Sequence, residues 1–217
     1  MKYGIYIAAV AAFVIAGFFI ITYAAGYKVD ITNRSLNQTG LISVSSDNAD
    51  IYIDDILIGN GKITKRNLEP KGYRISVKKE GYFDWSKQVE LESGEAEIIN
   101  YAVLFKQSPV VSEYSVNQSD FLNKFADSDG LQIINNEIYQ NDNFVTRYSK
   151  DVFGLSWYTD QRYLAFSNDS KLKIIEIDGT NEISLLDKAS QTPVVFVNSG
   201  RVVIFENDGK LYQAQIR

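Results

Sequence analysis

The stretch LISVSSDNADIYIDDILIG, residues 41–59, decides the fold, because apolar and polar side chains alternate along it at a spacing of two. Ile42 and Val44 alternate, then Ile51 and Ile53, then Ile56 and Ile58. A period of two places such residues on one face of a strand, whereas a helix would repeat every three to four. The pattern continues outward through Tyr73, Ile75 and Val77, then Val89 and Leu91, and becomes a more continuous apolar run from Ile98 to Phe105. Turn-forming residues punctuate it: Ser46-Asp47-Asn48, Asp54-Asp55, Gly59-Asn60-Gly61, Glu69-Pro70-Lys71-Gly72 and Glu92-Ser93-Gly94. The reading predicts five to seven short antiparallel strands in a small sandwich or barrel-like module.

On the N-terminal side, residues 28–40 (KVDITNRSLNQTG) form a polar stalk, and Tyr3–Tyr27 holds no charged residue. At helical rise those 25 residues span roughly 37 Å, against about 30 Å of bilayer hydrocarbon. Tyr3 and Tyr6 mark one end and Tyr23 and Tyr27 the other, where interfacial aromatics belong. The expectation is an N-terminal transmembrane helix over residues 1–27 that anchors the chain in a lipid bilayer. The alternative is a cleaved signal peptide, with Thr22 at −3 for a cut after Ala24 or Ala24 at −3 for a cut after Gly26. The length of the apolar run favours the anchor. Lys2 on one flank and Lys28 and Arg34 on the other are too evenly split for flanking charge to orient it.

Composition narrows the chemistry. The 217 residues contain no cysteine and no histidine. Disulfides, thiolate nucleophiles, Cys or His metal ligands and His-based general acid–base catalysis are all excluded, leaving carboxylate, Lys or Tyr chemistry. The formal net charge is −5, and no basic stripe is evident, which argues against nucleic acid as a partner. No Gly-rich loop follows a strand and opens a helix, so no nucleotide cofactor is expected.

The run Gly40–Phe105 resembles a PEGA domain, a short bacterial β-module named after a Pro-Glu-Gly-Ala motif. The opening strand is Leu41–Ser46, the hairpin Ile51–Gly59, the turn Leu68-Glu69-Pro70-Lys71-Gly72-Tyr73 and the ending Gly81-Tyr82-Phe83-Asp84-Trp85. At the eponymous motif the sequence reads Ser46-Asp47-Asn48-Ala49, which keeps only the Ala, and Lys71 is inserted in the turn. The resemblance implies a surface-exposed, non-catalytic module, often attached to a membrane segment, that contacts envelope glycan or protein.

The C-terminal part repeats itself. A shift of 39 lays Trp157–Ile177 on Phe196–Ile216 and pairs Arg162/Arg201, Phe166/Phe205, Asn168/Asn207, Asp169/Asp208, Lys171/Lys210, Leu172/Leu211 and Ile177/Ile216. A looser copy lies in Gly130–Tyr148. Repeats near 40 residues with several strands each are the mark of propeller blades. SWYTDQRYLAF (156–166) followed by IEIDG (175–179) is similar to a TolB-like or WD-type blade. Residues 121–217 then hold two to three blade-like β-repeats, too few to close a ring, joined to the first module by a linker at 106–120.

The candidate ligand-binding residues are Tyr82 and Trp85, as an aromatic platform for a sugar ring, unless they pack beneath the sheet. Asp50, Asp54 and Asp55 suit a hairpin turn better than a cation site. Asp127-Ser128-Asp129-Gly130 lacks full calcium-loop spacing and reads as a turn. Asn33, Asn37, Asn117 and Asn168 begin glycosylation patterns, which matter only in a glycosylating host. No catalytic residue, metal site or cofactor is expected. The function expected is recognition or scaffolding on the outer face of a membrane. The alternatives are a carboxylate-dependent, glycosidase-like enzyme and an accessory subunit that completes a partner's propeller. Oligomeric state stays open.

Overall fold

A computed structural model describes residues 2–24, 26–30, 35–115 and 126–217. Asn33 and Arg34 of the first glycosylation pattern, Asn117 and Phe125 lie outside the described residues, as does Ala25 at the alternative cleavage point. The structure is mostly β, with one N-terminal apolar helix. Helix α1 runs Lys2–Ala24. Its segment Tyr3–Ala24 has a mean hydropathy of 2.6 and no residue of it is buried within the protein, so it is long and apolar enough to cross a membrane. The polar segment that follows carries strands β1 (Tyr27–Asp30) and β2 (Ser35–Gln38), which pair antiparallel.

Next come β3 (Gly40–Ile53), β4 (Ile56–Leu68), β5 (Lys71–Lys78), β6 (Trp85–Leu91) and β7 (Ala96–Ile99), in one sheet of order β4-β3-β5-β6. Strand β7 joins it parallel to β3, with Leu41 opposite Ala96 and Val44 opposite Ile99. The expectation of purely antiparallel strands is corrected at this pair.

Two expected turns are bulges inside long strands. Ile42 and Val44 are buried, and so are Ala49, Ile51 and Ile53, yet the two sets differ in parity. Between Ser45 and Asp50, β3 advances five residues while β4 advances only from Lys62 to Asn60. Asn48, at φ 46°, helps absorb the excess and returns the apolar set to the same face. The PEGA-motif position is therefore a bulge and not a chain reversal. Likewise, Gly59-Asn60-Gly61 lies within β4. The real reversal is Asp54-Asp55, both at positive φ, as a two-residue hairpin loop of the primed type requires. Beyond it the alternation misleads: Ile56, grouped with Ile58 by spacing, is 68% exposed directly after the hairpin loop, on the sheet's edge strand.

Strand β8 (Val110–Glu113) arises within the stretch read as linker. Three sheets follow. The first is β9 (Leu131–Ile134), β10 (Glu137–Gln140) and β11 (Asn143–Arg147); the second is β12 (Val152–Trp157), β13 (Tyr163–Asn168), β14 (Lys171–Glu176) and β15 (Ile183–Leu186). The third has β16 (Val195–Val197), β17 (Val202–Asn207) and β18 (Lys210–Gln215), with β8 as its fourth strand alongside β18. The 39-residue shift carries β13 onto β17 and β14 onto β18, so the repeat is one hairpin used twice. Among the described residues the sheets are separate, and none closes into a barrel or a propeller.

The chain divides into two compact units, Met1–Val77 with Lys87–Ala102, and Lys78–Ser86 with Val103–Arg217. The first is cored by Ile42, Val44, Ile51, Ile75, Val77 and Ile99. One core cluster of the second packs Ile138, Val152, Leu155, Trp157, Leu164, Phe166 and Ile175, and another Val195, Ile204 and Leu211.

Candidate functional site

The segment 78–86 carries both sequence-nominated residues. Gly81 takes φ 78°, a value that favours glycine, and Tyr82 N–H closes the turn on the Lys79 carbonyl at 3.1 Å. Within the second unit the turn is tied to residues 105–107. Phe83 N–H donates to Phe105 O at 2.8 Å, Gln107 N–H to Gly81 O at 3.0 Å and Gln107 Nε2 to Tyr82 O at 2.9 Å.

Tyr82 and Trp85 are not equivalent. Tyr82 is half-buried, with Lys79 Nζ 4.9 Å from its ring centroid. Trp85 is 2% exposed, and its indole N–H donates to Glu176 Oε1. Its ring presents no face to solvent, so a sugar platform narrows to Tyr82.

Glu176 is the centre of a buried polar network, at 3% exposure. Besides Trp85, it accepts from Tyr163 Oη at 3.0 Å and Asn181 Nδ2 at 3.1 Å, and Thr180 Oγ1 lies at 3.5 Å. Tyr163 Oη in turn accepts from Val103 N–H at 3.2 Å, and Asn181 Oδ1 from Ser86 N–H at 3.0 Å. Around this network Phe105, Tyr158 and Tyr163 pack edge to face at 5.5–6.0 Å, and Phe196 meets Tyr158 at 4.9 Å. Four donors occupy the Glu176 carboxylate, which suits it to holding strands in place. Sequence reading missed Glu176. The available signal was an acid set between two isoleucines, Ile175 and Ile177, in an otherwise apolar run.

Burial raises the phenol pKa values of Tyr148, Tyr158 and Tyr163 above the ordinary value. At Tyr163 the nearby Glu176 charge adds to the rise, and at Tyr148 the hydrogen bond to Glu182 does. A folded-state pKa above the unfolded value keeps its stabilising contribution below the unfolded pKa, about 10, and loses it as pH rises towards the folded value. Thermal unfolding midpoints are therefore expected to be insensitive to these phenols up to about pH 10 and to fall above it. Tyr163→Phe should shallow that fall. An unchanged alkaline slope in the variant would refute the assignment.

The other acids are engaged elsewhere. Asp54 accepts from Arg74 N–H and Lys71 Nζ, both at 3.0 Å, and these bonds hold its carboxyl below the usual range. Asp55 lies 3.6 Å from Arg74, and Asp50 accepts from Asn60. Asp127 Oδ1 accepts from Asp129 N–H, and Trp157 Nε1 donates to Asp129 O at 2.8 Å, so Asp127–Gly130 is a turn. Among the described residues, no group of three or more acids is placed to hold a metal ion.

Comparison with known proteins gives one positive result. Residues 39–104 match the PEGA domain family, 66 of the 217 residues. The match covers β3–β7 and ends before β8. No curated protein matches the chain.

Proposed function

We propose that the protein is a single-pass membrane protein. In this reading an uncleaved α1 displays a PEGA module and the three-sheet unit on the outer side of a bacterial membrane. Its work there is recognition or scaffolding of envelope protein or glycan. One observation carries the reading: an uncharged helical segment of 22 residues, Tyr3–Ala24, precedes a domain of a usually extracellular family.

We read the chain as a binder and not an enzyme. Supporting this, it has neither His nor Cys, and its paired acids at the Asp54-Asp55 hairpin are bound to Lys71 and Arg74. Contacts to partners would use the half-buried Tyr82 and exposed sheet edges such as β4. We also read the three sheets as blade-like repeats. That is supported by the 39-residue hairpin repeat and by β8 completing the last sheet from outside the repeat.

The absence of native cysteine makes the test direct. Ser128→Cys introduces a single exposed thiol. In spheroplasts of an expressing bacterium, a membrane-impermeant maleimide is expected to label it without lysis, and the membrane-bound chain is expected to keep its full 24.5 kDa mass. Labelling only after lysis would overturn the placement. A shortened chain released from the membrane would establish the signal-peptide alternative.

A further inference from the structure

Strand β4 is the electrostatic exception in this acidic chain. Its 13 residues, ILIGNGKITKRNL, contain Lys62, Lys65 and Arg66 and no acid, whereas the chain as a whole carries −5. All three side chains are exposed, and among the described residues none has an ion-pair partner. Most other exposed cations on this unit are matched: Lys28 with Glu69, Lys71 with Asp54, Arg74 with Asp55. The basic end of β4 also lies at the end of the apolar helix, because Asn67 Nδ2 donates to Tyr23 Oη at 3.2 Å. Tyr23 is the interfacial aromatic at the C-terminal end of α1, so Arg66 and Lys65 stand at headgroup depth if α1 spans a bilayer.

We infer that Lys65 and Arg66, assisted by Lys62, bind the phosphate groups of anionic phospholipids in the leaflet next to the PEGA module. The inference rests on the membrane-anchor reading. A cleft of about 370 Å³ opens nearby, lined by Tyr23, Ala24, Gly26, Arg66, Asn67 and Glu95 among others. It is a poor phosphate site, because Glu95 and the carbonyl end of α1 both place negative charge there. The contact therefore belongs to the exposed edge of β4. At about 3.3 Å per residue, Lys62 stands up to about 13 Å beyond Arg66, further than the Debye length of about 8 Å at physiological salt. The effect is accordingly graded, strongest at Lys65 and Arg66 and weaker at Lys62. Each cation held near an anionic surface strengthens attachment about fivefold.

The test uses the full chain in nanodiscs, one set of neutral phosphatidylcholine and one containing 30% phosphatidylglycerol, with an uncharged amine-acetylating reagent read out by mass spectrometry. Lys65 is expected to react at least about threefold more slowly in the anionic discs, Lys62 less so, and Lys87, on β6 at the opposite edge of the same sheet, equally in both. High salt should erase the difference. In the double variant Lys62→Gln/Arg66→Gln, the protection of Lys65 should shrink. Equal Lys65 rates in the two lipids, or full protection persisting in the double variant, would overturn the lipid contact while leaving the anchor intact. Failure of the chain to enter either disc would overturn the anchor and the contact together.

Discussion

Glu176→Leu is expected to lower the unfolding free energy of the second unit by about 3–5 kcal/mol, read as a shifted denaturant midpoint. The leucine has similar bulk but no acceptor. It leaves the Trp85 indole N–H, the Tyr163 hydroxyl and the Asn181 amide facing a buried site with nothing to receive them. Each stranded donor costs about 1–3 kcal/mol, and partial rearrangement keeps the sum within the range seen for broken buried networks. Glu176→Gln keeps one acceptor oxygen and should cost only about 1–3 kcal/mol. A cycle with Trp85→Phe isolates the indole bond. The phenyl ring removes that donor, so Glu176→Leu in the Phe background should cost at least about 1 kcal/mol less than in the native one. Strictly additive costs would mean that the two side chains do not act as a pair.

The second large effect is expected at Gly154. This residue takes φ 60° where β12 bulges against β13, between Phe153 opposite Ser167 and Ser156 opposite Ala165. A Cβ there would stand 2.4 Å from the Thr192 carbonyl oxygen, a backbone atom that cannot swing aside. Strain at positive φ and overpacking together put Gly154→Ala at about 2–4 kcal/mol. Gly209 has a similar φ of 72° in a hairpin turn, but a Cβ added there would meet no atom within 4 Å. Gly209→Ala should therefore cost only the backbone term, about 1–2 kcal/mol. Equal losses at the two sites would show that the close carbonyl is not what constrains Gly154.

These two positions show what sequence periodicity can and cannot reach. Ile42, Val44, Ile51, Ile53, Tyr73, Ile75 and Val77 are all buried, as alternation requires, because a strand has only two faces and one is covered. The 39-residue repeat maps strand on strand for the same local reason. Alternation fails where the answer depends on a distant neighbour. Ile56 looks like core by its spacing from Ile58, yet it is 68% exposed just past the hairpin loop. The Glu176 bond to Trp85 joins residues 91 apart, and no local pattern encodes it. Tyr82 and Trp85 stand out because their spacing is distinctive, but their different burial is a property of what packs around them. Strand β8 escaped notice because four residues after Pro109 carry too little alternation to register. The unpaired cations of β4 were visible as letters, yet their significance came from the bond that sets Asn67 beside Tyr23.

The pairing of β8 with β18 also sets an order of events during synthesis. Glu113 and Lys210 meet across 97 residues. At a translation rate of about 5–20 residues per second, β8 leaves the ribosome roughly 5–20 s before its partner exists. Throughout that interval its backbone donors and acceptors have no strand to pair with in the finished arrangement, and the third sheet cannot be complete. The nascent chain thus carries an open strand through the making of two other sheets, a window in which a holdase or a translocation channel would protect it best.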